Sequence, residues 1–206
     1  MLYDITRPLT PRTAGFPGDT PVSITRVADM DAGASCNVSA LTLSSHAATH
    51  VDAPLHYSPA AHGIDRVPLE TLLGPCRVVS FDGAGDISRA ALQALLATPL
   101  PQRVLLHTRA SAVADDVWEA DFAAFEADAA DWLGANGARL IGTDAPSVDS
   151  AISKTLPAHN AFLRHGVVII ENLQLTGVPD GDYELIALPL RIAGADAAPA
   201  RVLLRA

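Results

Sequence analysis

Between Ser44 and Tyr57 the chain reads SSHAATHVDAPLHY, and this stretch holds three of its seven histidines, His46, His50 and His56, with Asp52 among them. Imidazole nitrogens and a carboxylate, with no thiolate in the set, are donors suited to zinc, with manganese as an alternative. Spacing limits how they can converge. Along a straight strand His46 and His50 would stand about 13 Å apart at roughly 3.3 Å per residue, too far to share one ion. On a helical turn, residues i and i+4 stack on one face about 6 Å apart. The spacing therefore predicts a turn of helix over residues 46–50. Asp52 returns to the same side if the chain is extended there, and Pro54 both stops any helix and favours an extended residue before it. A bend after Pro54 would bring His56 back over the cluster. Spacing does not decide whether His56 is then a third ligand or a hydrogen-bonded neighbour.

A carboxylate can also bridge two ions, and paired metals about 3.5–4 Å apart recur in hydrolases. Further donors would then come from downstream. Glu171 follows the apolar run Val167–Ile170, so its side chain starts from a buried strand. A buried carboxylate needs a partner, and a metal is one such partner beside an arginine or water. His159 precedes it by twelve residues, and His165 has an equal claim by position. His62 and His107 read as structural or solvated. The segment Phe16-Pro17-Gly18-Asp19 is a turn by its chemistry and does not have the pattern of a phosphate loop.

The elements that must position these groups are partly readable. Four prolines in the first 30 residues, Pro8, Pro11, Pro17 and Pro21, with Gly15 and Gly18, suit short strands joined by turns. Val38–Leu43 alternates and reads as a strand leading into the histidine cluster. From residue 77 strand and helix signals alternate. Arg77–Phe81, Arg103–His107, Arg139–Gly142 and Val167–Ile170 read as strands, the short apolar runs as buried ones. Ser88 is a predicted N-cap for a helix through Leu96, with Leu92, Leu95 and Leu96 on one face. Asp121–Ala135 is a second predicted helix, with Phe122, Phe125, Ala129 and Trp132 at helical spacing and Gly137 as its stop. Glu184–Leu190 and Arg201–Leu204 add two more strand-like runs. The fold class that follows is α/β in a single domain spanning 1–206.

Bulk composition narrows the partners. The chain has 206 residues, formal net charge -9, and basic residues that are scattered rather than clustered. That balance argues against nucleic acid or an anionic membrane as partner and for a small-molecule substrate. There is no basic segment followed by an apolar stretch at the start and no apolar run near the ~20 residues of a membrane helix, so the expected location is cytoplasmic. Cys36 and Cys76, far apart and in no CxxC pattern, read as reduced thiols.

The pattern H-x3-H-x-D-x3-H, here His46, His50, Asp52 and His56, resembles the metal-dependent cyclase-like hydrolase family, and within it the bacterial formamidases. The likeness extends to Tyr3-Asp4-Ile5, Phe16–Pro21, Leu73–Val78, Asp144–Asp149, Ser153–Thr155 and Gly181–Leu190. It implies a swivelling β/β/α fold with a mixed sheet, a homodimer, and two zinc ions per subunit. His46, His50 and Asp52 would bind the first ion, with Asp52 also reaching the second. His159, in preference to His165, would bind the second, and Glu171 would contact both. His56 would be the catalytic proton donor and acceptor rather than a ligand. The implied reaction is hydrolysis of N-formyl-L-kynurenine to L-kynurenine and formate. Zinc would acidify a water for attack on the formyl carbon, and His56 would protonate the departing aryl amine. The chain departs from the family in two places. Phe16 stands where the formamidases carry a Trp against the substrate ring, and Ala47-Ala48 replaces a Thr-Gly or Gly-Thr pair. Phe16 as the substrate-binding ring keeps another amide or a lactam, such as the isatin ring, as an alternative substrate. A non-catalytic metal-binding protein is the alternative of a different class, and the spare histidine His56 argues against it.

Overall fold

The computed structural model describes residues 1–206. In chain order its strands are β1 (Leu2–Asp4), β2 (Ser23–Ala28), β3 (Val38–Thr42), β4 (His50–Asp52), β5 (Leu73–Ser80), β6 (Arg103–His107), β7 (Leu140–Thr143), β8 (Val168–Glu171), β9 (Gly181–Pro189) and β10 (Ala197–Arg205). The helices are α1 (Leu69–Leu72), α2 (Arg89–Leu95), α3 (Ala127–Ala135) and α4 (Pro157–His165). β5, β6, β7 and β8 are parallel neighbours. β9 joins β5 antiparallel, and β4 joins β8 antiparallel. β10 then pairs with β9 on one edge and with β4 and β1 on the other, closing a barrel-like ring. This is the mixed-sheet α/β architecture that the sequence predicts.

Strands apolar on both faces need cover on both sides, and alternation along each strand supplies two cores. Val78, Leu105, Leu140 and Ile170 join Val51, Leu185 and Val202 in a cluster that draws on every strand of the ring and so fills its interior. Val79, Leu106, Ile141 and Ile169 point the other way, against Leu92 of α2, Leu133 of α3 and Phe162 of α4. Val51 faces inward, so His50 and Asp52, its neighbours on β4, face the helix side.

Two helix predictions need correction. The segment 121–126 is not helical, and α3 begins only at Ala127. Phe122, Ala123, Ala124 and Phe125 are all buried, which one face of a surface helix cannot achieve. Their backbone instead pairs sideways: Ile87 N donates to Ala124 O at 2.7 Å, and Phe125 N donates to Val148 O at 2.8 Å. Ser88 does cap α2, accepting from Ala91 N. However, Leu95 is exposed while Leu92 and Leu96 are buried, because the helix stops at Leu95 and Leu96 turns in from an extended conformation. The ribbon β2–β3 stands apart from the main sheet, and all its residues are exposed or half-buried.

Candidate metal centre

The register of β4 against β8 places His50 directly opposite Glu171. Opposed residues of an antiparallel pair share a face about 5 Å apart, and His50 Nε2 lies 3.4 Å from Glu171 Oε2. Asp52 is on the same face by strand alternation, with Oδ1 3.3 Å from His50 Nε2. α4 rests on this face and brings His159 from its first turn, with Nε2 3.4 Å from Asp52 Oδ2 and 3.6 Å from Glu171 Oε1. The site therefore sits at the carboxyl end of β8, the last of the parallel strands.

His46 arrives by a route the sequence reading had wrong. Residues 46–50 do not form a helical turn; the chain reverses at Ala48, which adopts φ 54°, and is extended from His50. Thr49 decides this. Its carbonyl accepts from Ala200 N of β10, and its hydroxyl accepts from Arg7 N, so its backbone is committed to the sheet. The reversal still brings the His46 and His50 rings to 4.8 Å between centroids. His56 follows on a single 3-10 turn, Pro54–His56, begun by Pro54 after an extended Ala53. Its ring lies 4.1 Å from that of His46 and 5.7 Å from that of His159.

The outer nitrogen of each inner ring has a fixed partner. His50 Nδ1 donates to Ala48 O at 2.8 Å, His159 Nδ1 to Asp149 Oδ2 at 2.7 Å, and His46 Nε2 to Asp196 Oδ2 at 3.0 Å. Because the partners are acceptors, the opposite nitrogens are lone pairs aimed inward, as in the carboxylate–histidine–metal arrangement. There they meet more lone pairs. His50 Nε2, His159 Nε2 and both oxygens of Asp52 are buried with no hydrogen-bond partner. Such an array requires positive charge at its centre. Burial pushes the two imidazoles down, yet the carboxylates outweigh it: Asp52 and Glu171 drive His50 up to about 10, and Asp149, Asp52 and Glu171 drive His159 to about 10. Burial would likewise raise Asp52, but the imidazoles of His159, His46 and His50 close around it hold it well below the usual carboxylate range. Divalent cations meet the same charge demand while releasing those protons. The donor set fits them: His46, Asp52 and His56 form one group with mutually close ligand atoms, His50, Asp52 and Glu171 another, and Asp52 belongs to both.

His46, His50, Asp52, His56, His159 and Glu171 are thus brought together. His165 is not; it pairs with Asp131 at 3.1 Å on the surface. His62 bonds to the neighbouring Gly63 carbonyl, and His107 lies outside the cavity. That cavity, of about 460 Å3, is lined by His46, His50, His56, His159 and Glu171 at one end and by Phe16 and Trp118 elsewhere. Sequence reasoning missed Asp149, Asp196 and Trp118. Asp149 lies in the segment Asp144–Asp149 that carries part of the resemblance, a signal that could have singled it out; Asp196 has no local signal.

The fold and this donor set define a metal-dependent hydrolase type, and comparison with known proteins fixes the family. A family model described as "Putative cyclase" matches residues 3–150, and the chain belongs to this Cyclase family. It is 47% identical over 204 residues to the kynurenine formamidase of Maricaulis maris, covering 99% of this chain and 97% of the relative. It is 45% identical to the kynurenine formamidase of Bordetella pertussis over the same coverage. Among solved structures, a predicted metal-dependent hydrolase from Bacillus stearothermophilus superposes with TM-score 0.85 at 30% identity, over 99% of this chain and 97% of that one. An isatin hydrolase bound to thioisatinate shares the fold at TM-score 0.83 and 22% identity, over 98% and 91% of the two chains.

Proposed function

We propose that the protein is a kynurenine formamidase, a single domain over 1–206 that hydrolyses N-formyl-L-kynurenine to L-kynurenine and formate. The observation that carries this reading is the set of buried, unpartnered donors on His50, Asp52 and His159, facing a cavity with aromatic rings farther along its wall. The two formamidase relatives, matched over nearly the whole chain, support the choice of substrate. A volume of about 460 Å3 also falls within the range of small-molecule sites.

In this reading, following the resemblance, His46, His50 and Asp52 hold one zinc ion and Asp52, His159 and Glu171 hold a second, with manganese the alternative metal; His56, whose nitrogen is close to the donors of His46 and Asp52, is kept as the proton carrier rather than a ligand. Bound zinc would lower the pKa of a water toward neutrality and polarise the formyl carbonyl. The protein's own part is to hold the donors deprotonated and to move a proton. His56 is suited to the second task. Its side chain is 31% exposed, against 1% for His50 and 2% for His159, and Asp196 Oδ2 lies 3.7 Å from its Nδ1. Burial is the main influence that lowers its pKa from 6.5, so it is neutral near pH 7. It can accept a proton as the nucleophile forms and deliver it to the departing aryl nitrogen. Phe16 supplies a ring face to the substrate.

The ribbon β2–β3 supports a homodimer. Val27, Val38 and Leu41 stand exposed on it, and an isolated two-stranded ribbon has little stability without cover. No helix is long and apolar enough to cross a membrane.

The test is hydrolysis of N-formyl-L-kynurenine by protein stripped with chelator and then reloaded with zinc or manganese. Activity is expected only after reloading, and His56→Ala should lower kcat at least about 100-fold while retaining metal. Turnover by the stripped protein, or an unimpaired His56→Ala variant, refutes the scheme. A preference for isatin would move the substrate to a lactam and leave the metal centre standing.

A further inference from the structure

We propose that Trp118 determines specificity in this cavity: with Phe16 it forms an aromatic corner that selects an aryl group on the scissile amide. The proposal rests on the formamidase reading for the nature of the scissile bond. It rests on the following geometry for the selection.

The Phe16 ring is smaller than an indole and is 39% exposed, so alone it offers a thin wall. Trp118 meets it with centroids 5.0 Å apart and planes at 69°. Both residues line the cavity that His46, His56 and His159 also line. Behind Trp118 stands Phe122, at 6.5 Å and 77°, itself buried with Ala110, Ala124 and Ala145. The indole is therefore backed by a small core of its own. The other tryptophan, Trp132, is buried among the helices and does not reach the cavity.

The segment that carries Trp118 is fixed in place rather than loose. Asp144 accepts from Thr108 N and Oγ1 and from Ser111 N and Oγ, at 2.9, 2.7, 2.9 and 2.7 Å. Arg7 donates to Ala110 O, Val113 O and Asp115 Oδ1 at 2.8, 3.1 and 2.7 Å. Ala14 N donates to Asp115 O at 2.8 Å, tying the strand of chain before Phe16 to the one before Trp118. Two rings held nearly edge to face present a ligand ring with both a face and an edge, the arrangement aromatic pairs favour. An alkyl amide gains only apolar area there. Preorganisation matters because an ordered wall costs no further ordering on binding.

The experiment uses the zinc-loaded full chain and two readouts. One is the ratio of kcat/KM for formanilide over N-methylformamide. The other is the ratio of calorimetric affinities for L-kynurenine over L-norleucine. The wild type should prefer the aryl member of each pair. Trp118→Ala should cut both ratios at least about tenfold, chiefly through KM, Trp118→Leu should do nearly the same, and Trp118→Phe should keep most of the preference. Zinc content and melting temperature identify a misfolded variant, and the Leu and Phe variants keep the site filled if Ala does not fold. A wild type without aryl preference, or a Trp118→Leu protein as selective as Trp118→Phe, overturns the proposal. If no formamide is hydrolysed but aryl affinity still depends on Trp118, the formamidase reading fails and the aromatic corner remains.

Discussion

Asp149 accepts hydrogen bonds from Ala158 N at 2.9 Å, His159 N at 3.0 Å and His159 Nδ1 at 2.7 Å. One carboxylate thus satisfies the first free N–H groups of α4, which has Leu156 in place of a capping side chain, and sets the tautomer of a proposed ligand. Burial works against its charge, but the bonds from His159 and Ala158 keep its pKa below the usual value. Asp149→Asn removes the negative charge and one of the two acceptor oxygens. An amide oxygen at the Oδ2 position can still accept from His159 N and Nδ1, but without the charge it holds the Nδ1–H tautomer, and the basicity of the opposite Nε2, less strongly. Zinc affinity should drop about 10–100-fold in a chelator competition, with little change in the melting temperature of the metal-free protein. An affinity equal to wild type would sink this account. Asp196, facing His46 from a position 44% exposed, should matter less in the same measurement. The donor cluster was legible in the sequence because His46, His50 and Asp52 are neighbours and Glu171 follows an apolar run. Their supporting acids were not, since Asp196 is far from His46 along the chain. The reversal at Ala48 also escaped reading, because Thr49's partners on β10 and at Arg7 select it rather than anything in residues 46–50.

Among the elements, α3 and α4 are joined at their outer edge by Asp131, which accepts from Arg164 Nη2 at 2.8 Å and from His165 Nε2 at 3.1 Å. The Arg164 bond is the main cause of its lowered pKa. The folded state therefore binds a proton at Asp131 less readily than the unfolded chain. Its stabilisation is present above the ordinary value of 3.8 and disappears as pH falls through the lowered folded value. The pair is largely solvated, so at neutral pH it contributes at most about 1 kcal/mol. Asp131→Asn should be slightly less stable than wild type in urea at pH 7, and the gap should close as pH drops below 3.8. A gap that widened in acid would contradict the assignment. The strands β5 to β8 were legible because each is apolar on both faces. Residues 122–125 were misread as helix for a related reason: helical spacing of Phe122 and Phe125 is equally met by an extended segment buried on all sides.

At the scale of the whole molecule, the proposed dimer depends on the ribbon β2–β3. Ile24 and Leu41 are cross-strand partners, both exposed, and an apolar pair of this kind is suited to cover by a second copy. Leu41→Lys should shift sedimentation equilibrium from dimer toward monomer while leaving zinc content unchanged, because the proposed metal donors lie on other elements. A wild type that is monomeric at all concentrations would rule the dimer out. The closed ring of strands has a consequence in time as well as in space. β4, which carries His50 and Asp52, lies between β8 and β10, and Asp196 immediately precedes β10. At roughly 5–20 residues per second of synthesis, His46, His50 and Asp52 emerge on the order of ten seconds before β10, the strand that seats β4 on one side. The proposed metal centre is therefore complete only after the ring has closed, and under that proposal ordered loading of the ions follows closure.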